Sequence, residues 1–318
     1  MCTAITFSAG GFYFGRTLDY EHSFGEEIVF TPRRYPLPFR QLPAIGHHHA
    51  ILGVAHVENG YPLYYDAMND RGLCMAGLNF VGFAQYSNSA RDPVAAFELI
   101  PWILSQCQSV AQARVLLAHT AVTETPFSPS LHAARLHWLI ADRVEAITVE
   151  AMSDGLHIHD NPAGVLTNNP PFPEQMRHLA NFAHLSALPA RNQFPIELTP
   201  VSRGTGAVGL PGDLSSPSRF VRAAFTKHHA ARHGLNPVSQ FFHILGAVEQ
   251  TMGCCRLEDG SLPHTLYTSC CDADHGIYYC TTYHSRRICG IDMNRENPEG
   301  EALIRYRLAT QEDILFQN

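Results

Sequence analysis

The chain has 318 residues, 45% of them hydrophobic and 16% charged, so it can bury a full core and lacks the composition of a disordered polymer. With 22 Lys+Arg against 29 Asp+Glu the formal net charge is -7, which excludes the general basic surface that nucleic-acid binding requires. Nine cysteines at irregular spacing, with adjacent pairs at Cys254-Cys255 and Cys270-Cys271, fit a reducing compartment better than a disulfide framework.

The N-terminus, Met1-Cys2-Thr3-Ala4-Ile5-Thr6-Phe7, has no basic region and no long apolar run, and no later stretch approaches the roughly 18 apolar residues of a membrane span. A cytoplasmic protein without membrane insertion is expected. Thr3 to Phe7 alternates, Gly10-Gly11 can turn, and Phe12-Tyr13-Phe14 resumes, which predicts a hairpin. Glu27 to Phe30, Ala50 to Ala55, Tyr61 to Ala67 and Leu73 to Phe80 read as further strands. The period then changes. Asp92-Pro93 supplies a cap and a first-turn proline for a helix over Val94 to Cys107, and Ser109 to His119 forms a second. Strands return at Leu136 to Ile140, Ala146 to Glu150 and Gly155 to His159. Ser216-Pro217 opens a helix over Ser218 to His228, and Asn236-Pro237 one over Val238 to Glu249. Leu266 to Met293 is strand-rich and Leu303 to Leu308 alternates. Gly46 to His49, Thr123 to Ser130 and Ser186 to Gly206 read as loops, and no domain boundary stands out. The order strands, helices, strands, helices, strands lacks the regular beat of a doubly wound sheet. Two packed sheets between helical layers would bury both faces of each, giving one α+β domain over 1–318.

A small second residue favours removal of Met1, which would leave Cys2 with a free α-amine beside its thiol. An amine of reference pKa about 7.7–8 next to a thiol of about 8.5 makes a compact base–nucleophile unit for acyl transfer. A paired hairpin would bring Arg16 and Asp19 near that unit, where Arg16 could favour the thiolate and Asp19 accept from the amine, although on these residues alone an Arg–Asp surface pair at a strand end is the plainer reading. Asn79, in Ala76-Gly77-Leu78-Asn79-Phe80, and Asn168, in Gly164-Val165-Leu166-Thr167-Asn168-Asn169-Pro170, offer neutral amide donors of the kind a developing oxyanion needs, although turn formation explains many such asparagines. Arg219 sits in the first turn of a helix, an unfavourable place for a cation unless an anion or carboxylate lies nearby.

Met1-Cys2-Thr3, Phe14-Gly15-Arg16-Thr17-Leu18-Asp19, Ala76 to Phe80, Gly164 to Asn168, Gly209-Leu210-Pro211-Gly212-Asp213 and Ser218-Arg219-Phe220 together resemble the choloylglycine hydrolase family, which includes bile salt hydrolases and penicillin V acylases. The resemblance spans nearly the whole chain. It implies the N-terminal nucleophile fold, a four-layer αββα sandwich, with Cys2 as nucleophile, its α-amine as proton shuttle, and Arg16, Asp19, Asn79, Asn168 and Arg219 as the catalytic shell. It implies no cofactor and no metal, and commonly a homotetramer. Asn79 stands where the better-known penicillin V acylases carry tyrosine, which favours a glycine- or taurine-conjugated bile acid as substrate, cleaved through a thioester on Cys2. Leu18, Phe24, Tyr61 and Phe127 are expected to line an apolar groove for the steroid, and Arg203 to face the acid of the leaving amine.

Rival readings are a penicillin V or acyl-homoserine lactone acylase of the same fold, a metal hydrolase and a non-enzymatic relative. His47-His48-His49 invites the second, but no His-Glu-x-x-His helix or spaced Cys-x-x-Cys pair accompanies it. The expected catalytic positions are all filled, which argues against the third.

Overall fold

A computed structural model describes residues 1–87 and 92–318. Strand β1 (Cys2–Ser8) begins at the second residue and turns back into β2 (Phe12–Tyr20) through Gly10, whose φ of +70° is the left-handed conformation a tight turn demands. The apolar alternation of the next segment gives β3 (Glu27–Thr31), β4 (Ile51–Glu58), β5 (Tyr61–Asn69) and β6 (Cys74–Asn79). After β7 (Pro93–Ala95) come α1 (Leu99–Gln106), α2 (Val110–Leu117) and β8 (Ala121–Thr123). The meander β9 (Leu136–Ala141), β10 (Ala146–Met152) and β11 (Gly155–Asp160) leads to the short β12 (Val165–Leu166) and to α3 (Phe172–Ala180). Helices α4 (Ser216–His229) and α5 (Pro237–Gly246) precede β13 (His264–Asp272), β14 (Ile277–Thr282), β15 (Ser285–Asp292) and β16 (Ile304–Arg307).

The strands form a six-stranded antiparallel sheet, β12-β1-β2-β13-β14-β15, and an eight-stranded one, β11-β10-β9-β6-β5-β4-β3-β16. Phe14 and Leu18 of the first sheet share a buried core with Leu52, Met68 and Leu78 of the second. Helices α4 and α5 cover the outer face of the six-stranded sheet through Phe220, Phe241 and Leu245, and α3 packs on α4. Helix α1 lies against β4, β5 and β6, and Val110, Ala113 and Leu117 of α2 join the same outer core. The result is the expected four-layer αββα sandwich.

Three helices differ from expectation. The segment read as a helix from Val94 opens instead as β7, paired in parallel with β8, and α1 starts only at Leu99. Pro101 gives the reason. In a helix from Val94 it would remove an interior hydrogen bond, whereas in the first turn of α1 its missing N–H costs nothing. Glu98 marks the change of direction by accepting the N–H groups of Ala95 (2.9 Å) and Arg40 (2.7 Å). Helix α3 had not been expected at all, because Pro170-Pro171 reads as a stop, yet Pro171 caps the helix and Pro173 falls in its first turn. Helix α5 ends at Gly246, short of the expected Glu249.

Candidate active site

Strand alternation sorts the site residues. β1 and β2 pair in the register Cys2↔Leu18 and Ala4↔Arg16, so Cys2, Leu18 and Arg16 share the face turned to the other sheet. Thr3, Thr17 and Asp19 occupy the opposite face, under α4. Gly15 allows the close approach of β13 that fixes this arrangement, since a Cβ there would stand 2.1 Å from the Ser269 carbonyl oxygen.

Cys2 is 2% exposed and lines a cleft of about 460 Å³. Its backbone N–H donates to Asn168 Oδ1 at 2.8 Å, and its carbonyl accepts from Arg219 Nη1 at 2.5 Å. Arg219 also donates to Thr3 Oγ1 and Asn168 Oδ1, both at 2.7 Å, and to the Leu214 carbonyl at 3.0 Å. Burial lowers its pKa from the ordinary value against the opposing attraction of Asp19. That ring of acceptors and the neighbouring carboxyl accommodate a cation in the first turn of α4.

Arg16 is fully buried on the cleft side. It donates from Nη1 to the carbonyls of Gly77 (2.5 Å) and Tyr65 (3.2 Å) and from Nε to that of Thr17 (3.1 Å), while Nη2 has no partner among the described residues. Burial works against its charge, but Cys2, Tyr267, Asp66 and Asp19 outweigh it and hold Arg16 above its ordinary pKa. Asp66 was not singled out from the sequence, though a lone carboxylate in the buried run Tyr61–Asn69 was a readable signal. It crosses between the sheets, accepting from Tyr267 (2.5 Å), Ser269 (2.8 Å) and Tyr278 (2.8 Å), and burial raises its pKa.

Asp19 departs from expectation. Its carboxylate lies on the α4 side and accepts from Thr265 (2.7 Å) and Thr17 (3.3 Å); burial raises its pKa and Arg219 opposes the rise. With Met1 attached, the Cys2 nitrogen is a peptide N–H and donates to Asn168. The Asp19 backbone holds Met1: its carbonyl accepts the terminal ammonium at 2.6 Å and its N–H donates to the Met1 carbonyl at 2.9 Å.

Asn79 ends β6 at the cleft, and its side-chain amide has no hydrogen-bond partner among the described residues. Its carbonyl accepts from Asn168 Nδ2 at 2.8 Å. Asn168 is therefore committed through both amide ends, and Asn79 presents the free donor. Gln175 of α3 and Ser216 of α4, neither read from the sequence, secure Asn168 through its carbonyl (2.9 Å) and N–H (2.8 Å).

Leu18, Phe24 and Phe127 line the cleft with Leu63, Phe97, Leu131 and Leu136. Tyr61 does not reach it; its ring backs Phe97 and Phe127 at 5.7 and 5.8 Å between centroids. Arg203 stands exposed in the long connection between α3 and α4, away from the cleft lining. Among the described residues no group of three or more His, Cys, Asp or Glu side chains could hold a metal ion, and the imidazole nitrogens of His48 contact the His49 and Tyr35 carbonyls, both at 2.7 Å. Among those residues no helix is long and apolar enough to cross a membrane.

A sequence profile described as linear amide C–N hydrolases, choloylglycine hydrolase family, matches residues 2–306. The chain is 48% identical over 317 residues to a bile salt hydrolase/transferase of Lactiplantibacillus plantarum, covering 98% of each, and 33% identical over 318 residues to one of Clostridium perfringens, covering 96% of this chain and 97% of the relative. A crystal structure of a mutant conjugated bile acid hydrolase from Clostridium perfringens superposes with a TM-score of 0.94 at 32% identity over 100% of both chains. A penicillin V acylase from Agrobacterium tumefaciens, at a TM-score of 0.76 and 19% identity over 96% and 90%, shares the fold. Profile, relatives and the geometry around Cys2 agree: this chain belongs to the choloylglycine hydrolase family of linear amide C–N hydrolases, with the fold of the N-terminal nucleophile hydrolases.

Proposed function

We infer that the protein hydrolyses the amide of glycine- or taurine-conjugated bile acids, with Cys2 as nucleophile. The observation that carries this reading is the Cys2 side chain at the polar end of an apolar cleft, beside the free side-chain amide of Asn79. The relatives named for bile salt hydrolysis support the substrate class.

The active chain begins at Cys2. Loss of Met1 turns the nitrogen now donating to Asn168 Oδ1 into an α-amine already oriented beside its own thiol. The amine takes the thiol proton as sulfur attacks the carbonyl carbon, and the Asn79 amide receives the negative charge that forms on oxygen. The C–N bond then breaks as the α-ammonium gives its proton to the leaving nitrogen, and the acyl group remains on sulfur as a thioester. Water, losing a proton to the same amine, attacks the thioester; the C–S bond breaks and the acid leaves. Arg16, Asp19, Asn168 and Arg219 hold the first residue and its charge in place, with no cofactor in any step. Leu18, Phe24 and Phe127 contact the steroid, while Tyr61 supports the wall from behind. Arg203 is exposed and outside the cleft lining, and its leaving-group role stays an expectation. A cytoplasmic homotetramer remains the expected working form.

Parallel assays of glycocholate, taurocholate, penicillin V and a long-chain acyl-homoserine lactone test the substrate class. Hydrolysis of the two bile salts should dominate; preference for penicillin V or the lactone overturns the assignment. Intact-mass measurement should find Met1 absent from the active species.

A further inference from the structure

His137 connects the two asparagine segments. It lies on β9, directly opposite Leu78 of β6 on one side and Glu150 of β10 on the other. Its ring is fully buried and stacks flat on Phe80, the residue after Asn79, at 4.4 Å and 5°. Nε2 lies 2.9 Å from the carbonyl of Thr167, the residue before Asn168. A carbonyl only accepts, so Nε2 carries a hydrogen. Nδ1 lies 3.1 Å from Glu150 Oε1, and that oxygen also accepts the Phe172 N–H at 2.9 Å. Glu150 is 1% exposed, and its other oxygen stands 3.5 Å from His159 Nε2. One pair of side chains thus grips the segment bearing Asn168 from both ends, at Thr167 and at Phe172, while its ring braces the end of β6.

We propose that His137, held by Glu150, is a positioning residue for the amide-cleaving site: it fixes the separation of Asn79 and Asn168, and through Asn168 the direction of the Cys2 nitrogen. It touches no substrate, since both ring nitrogens are engaged and the ring is fully buried and outside the cleft lining. Its whole effect passes through the two asparagines. A buried polar plug would only stabilise the fold; a positioning residue also sets the turnover of molecules that are folded. A misplacement of about 1 Å at a reacting centre costs on the order of 100-fold in rate.

The inference rests on the catalytic reading of Cys2, Asn79 and Asn168, so Cys2→Ser is measured alongside; activity in that variant would sink the catalytic reading, independently of His137. His137→Gln keeps a donor at the Nε2 position and His137→Asn keeps one only at Nδ1. Per folded enzyme, with glycocholate as substrate, His137→Gln should retain kcat within about 5-fold of the parent, and His137→Asn should lose about 100-fold with KM changed less than about 3-fold. Equal kcat in the two variants, or parental kcat in His137→Asn, overturns the proposal. Should either fail to fold, Glu150→Met carries the test: it leaves the imidazole in place but removes the oxygen that accepts from Phe172 and pairs with Nδ1. Its kcat should fall about 10-fold, and a parental value overturns the proposal.

Discussion

The two ends of the cleft are built differently. Around Cys2, Arg16, Asn168 and Arg219 come from β2, the bend after β12 and the first turn of α4, are buried, and are each held by several hydrogen bonds. At the far end, Phe24, Phe97, Phe127 and Leu131 come from segments outside the two sheets and make ring and van der Waals contacts, with Phe24 39% exposed. Chemistry needs atoms fixed to fractions of an ångström, which only multiply anchored groups provide. Recognition of a rigid apolar body needs area, and loops supply area while tolerating change. Changes at the first end should therefore act on kcat for every substrate, and changes at the second on KM and on choice among substrates.

Cys2→Ser tests the comparison hardest. It should lower glycocholate turnover by on the order of 10³-fold or more while circular dichroism and thermal midpoint stay near those of the parent. A fully active serine variant would break the catalytic half of the comparison. Asn79→Ala removes the free donor and should cost about 100-fold in kcat with little change in KM. An effect confined to KM would move Asn79 to the recognition end. Phe127→Ala, which deletes a ring packed at 5.2 Å on Phe97 and beneath Arg40, should raise KM about 10-fold and leave kcat within about 3-fold.

The smallest effect concerns stability alone. Lys227 Nζ of α4 lies within hydrogen-bond distance of Thr6 Oγ1 (3.0 Å) and of the carbonyls of Ala163 (2.5 Å) and Gly164 (3.2 Å), and burial brings its pKa from 10.5 down to about 7. Between those values the unfolded chain holds a proton that the folded chain has released. Stability therefore rises with pH across that window and is lost as pH falls toward 7. Urea midpoints should show a gain of about 1–2 kcal/mol from pH 7 to pH 9 in the parent and a flatter response in Lys227→Met. Parallel slopes would remove Lys227 as the cause.

Much of this was legible in the chain. Alternation exposed nearly every strand, because both sheets bury one apolar face against the other, and the asparagines that end Leu78-Asn79 and Thr167-Asn168 stood out as polar residues closing apolar runs. The shared resemblance across six segments made Cys2 and its neighbours readable as a set. What escaped was anything decided by pairing in space. Asp19 was placed on the correct strand, but its partners Thr17 and Thr265 were not read. Asp66 and His137 looked like isolated polar residues in buried strands, since their partners lie tens to hundreds of residues away. Gln175 belongs to a helix hidden behind two prolines. Arg203 falls in a long exposed loop whose course no local sequence signal fixes.

The hydrogen-bonded position of the first two residues also governs how the protein can be handled. Met1 is pinned at both its ammonium and its carbonyl to the Asp19 backbone, and β1 begins with the very next residue. An affinity tag or fusion partner at that terminus would keep the Cys2 nitrogen in a peptide bond and block release of the amine. Residues 311–318 are all exposed, so the opposite terminus is where a handle can be attached without touching the nucleophile.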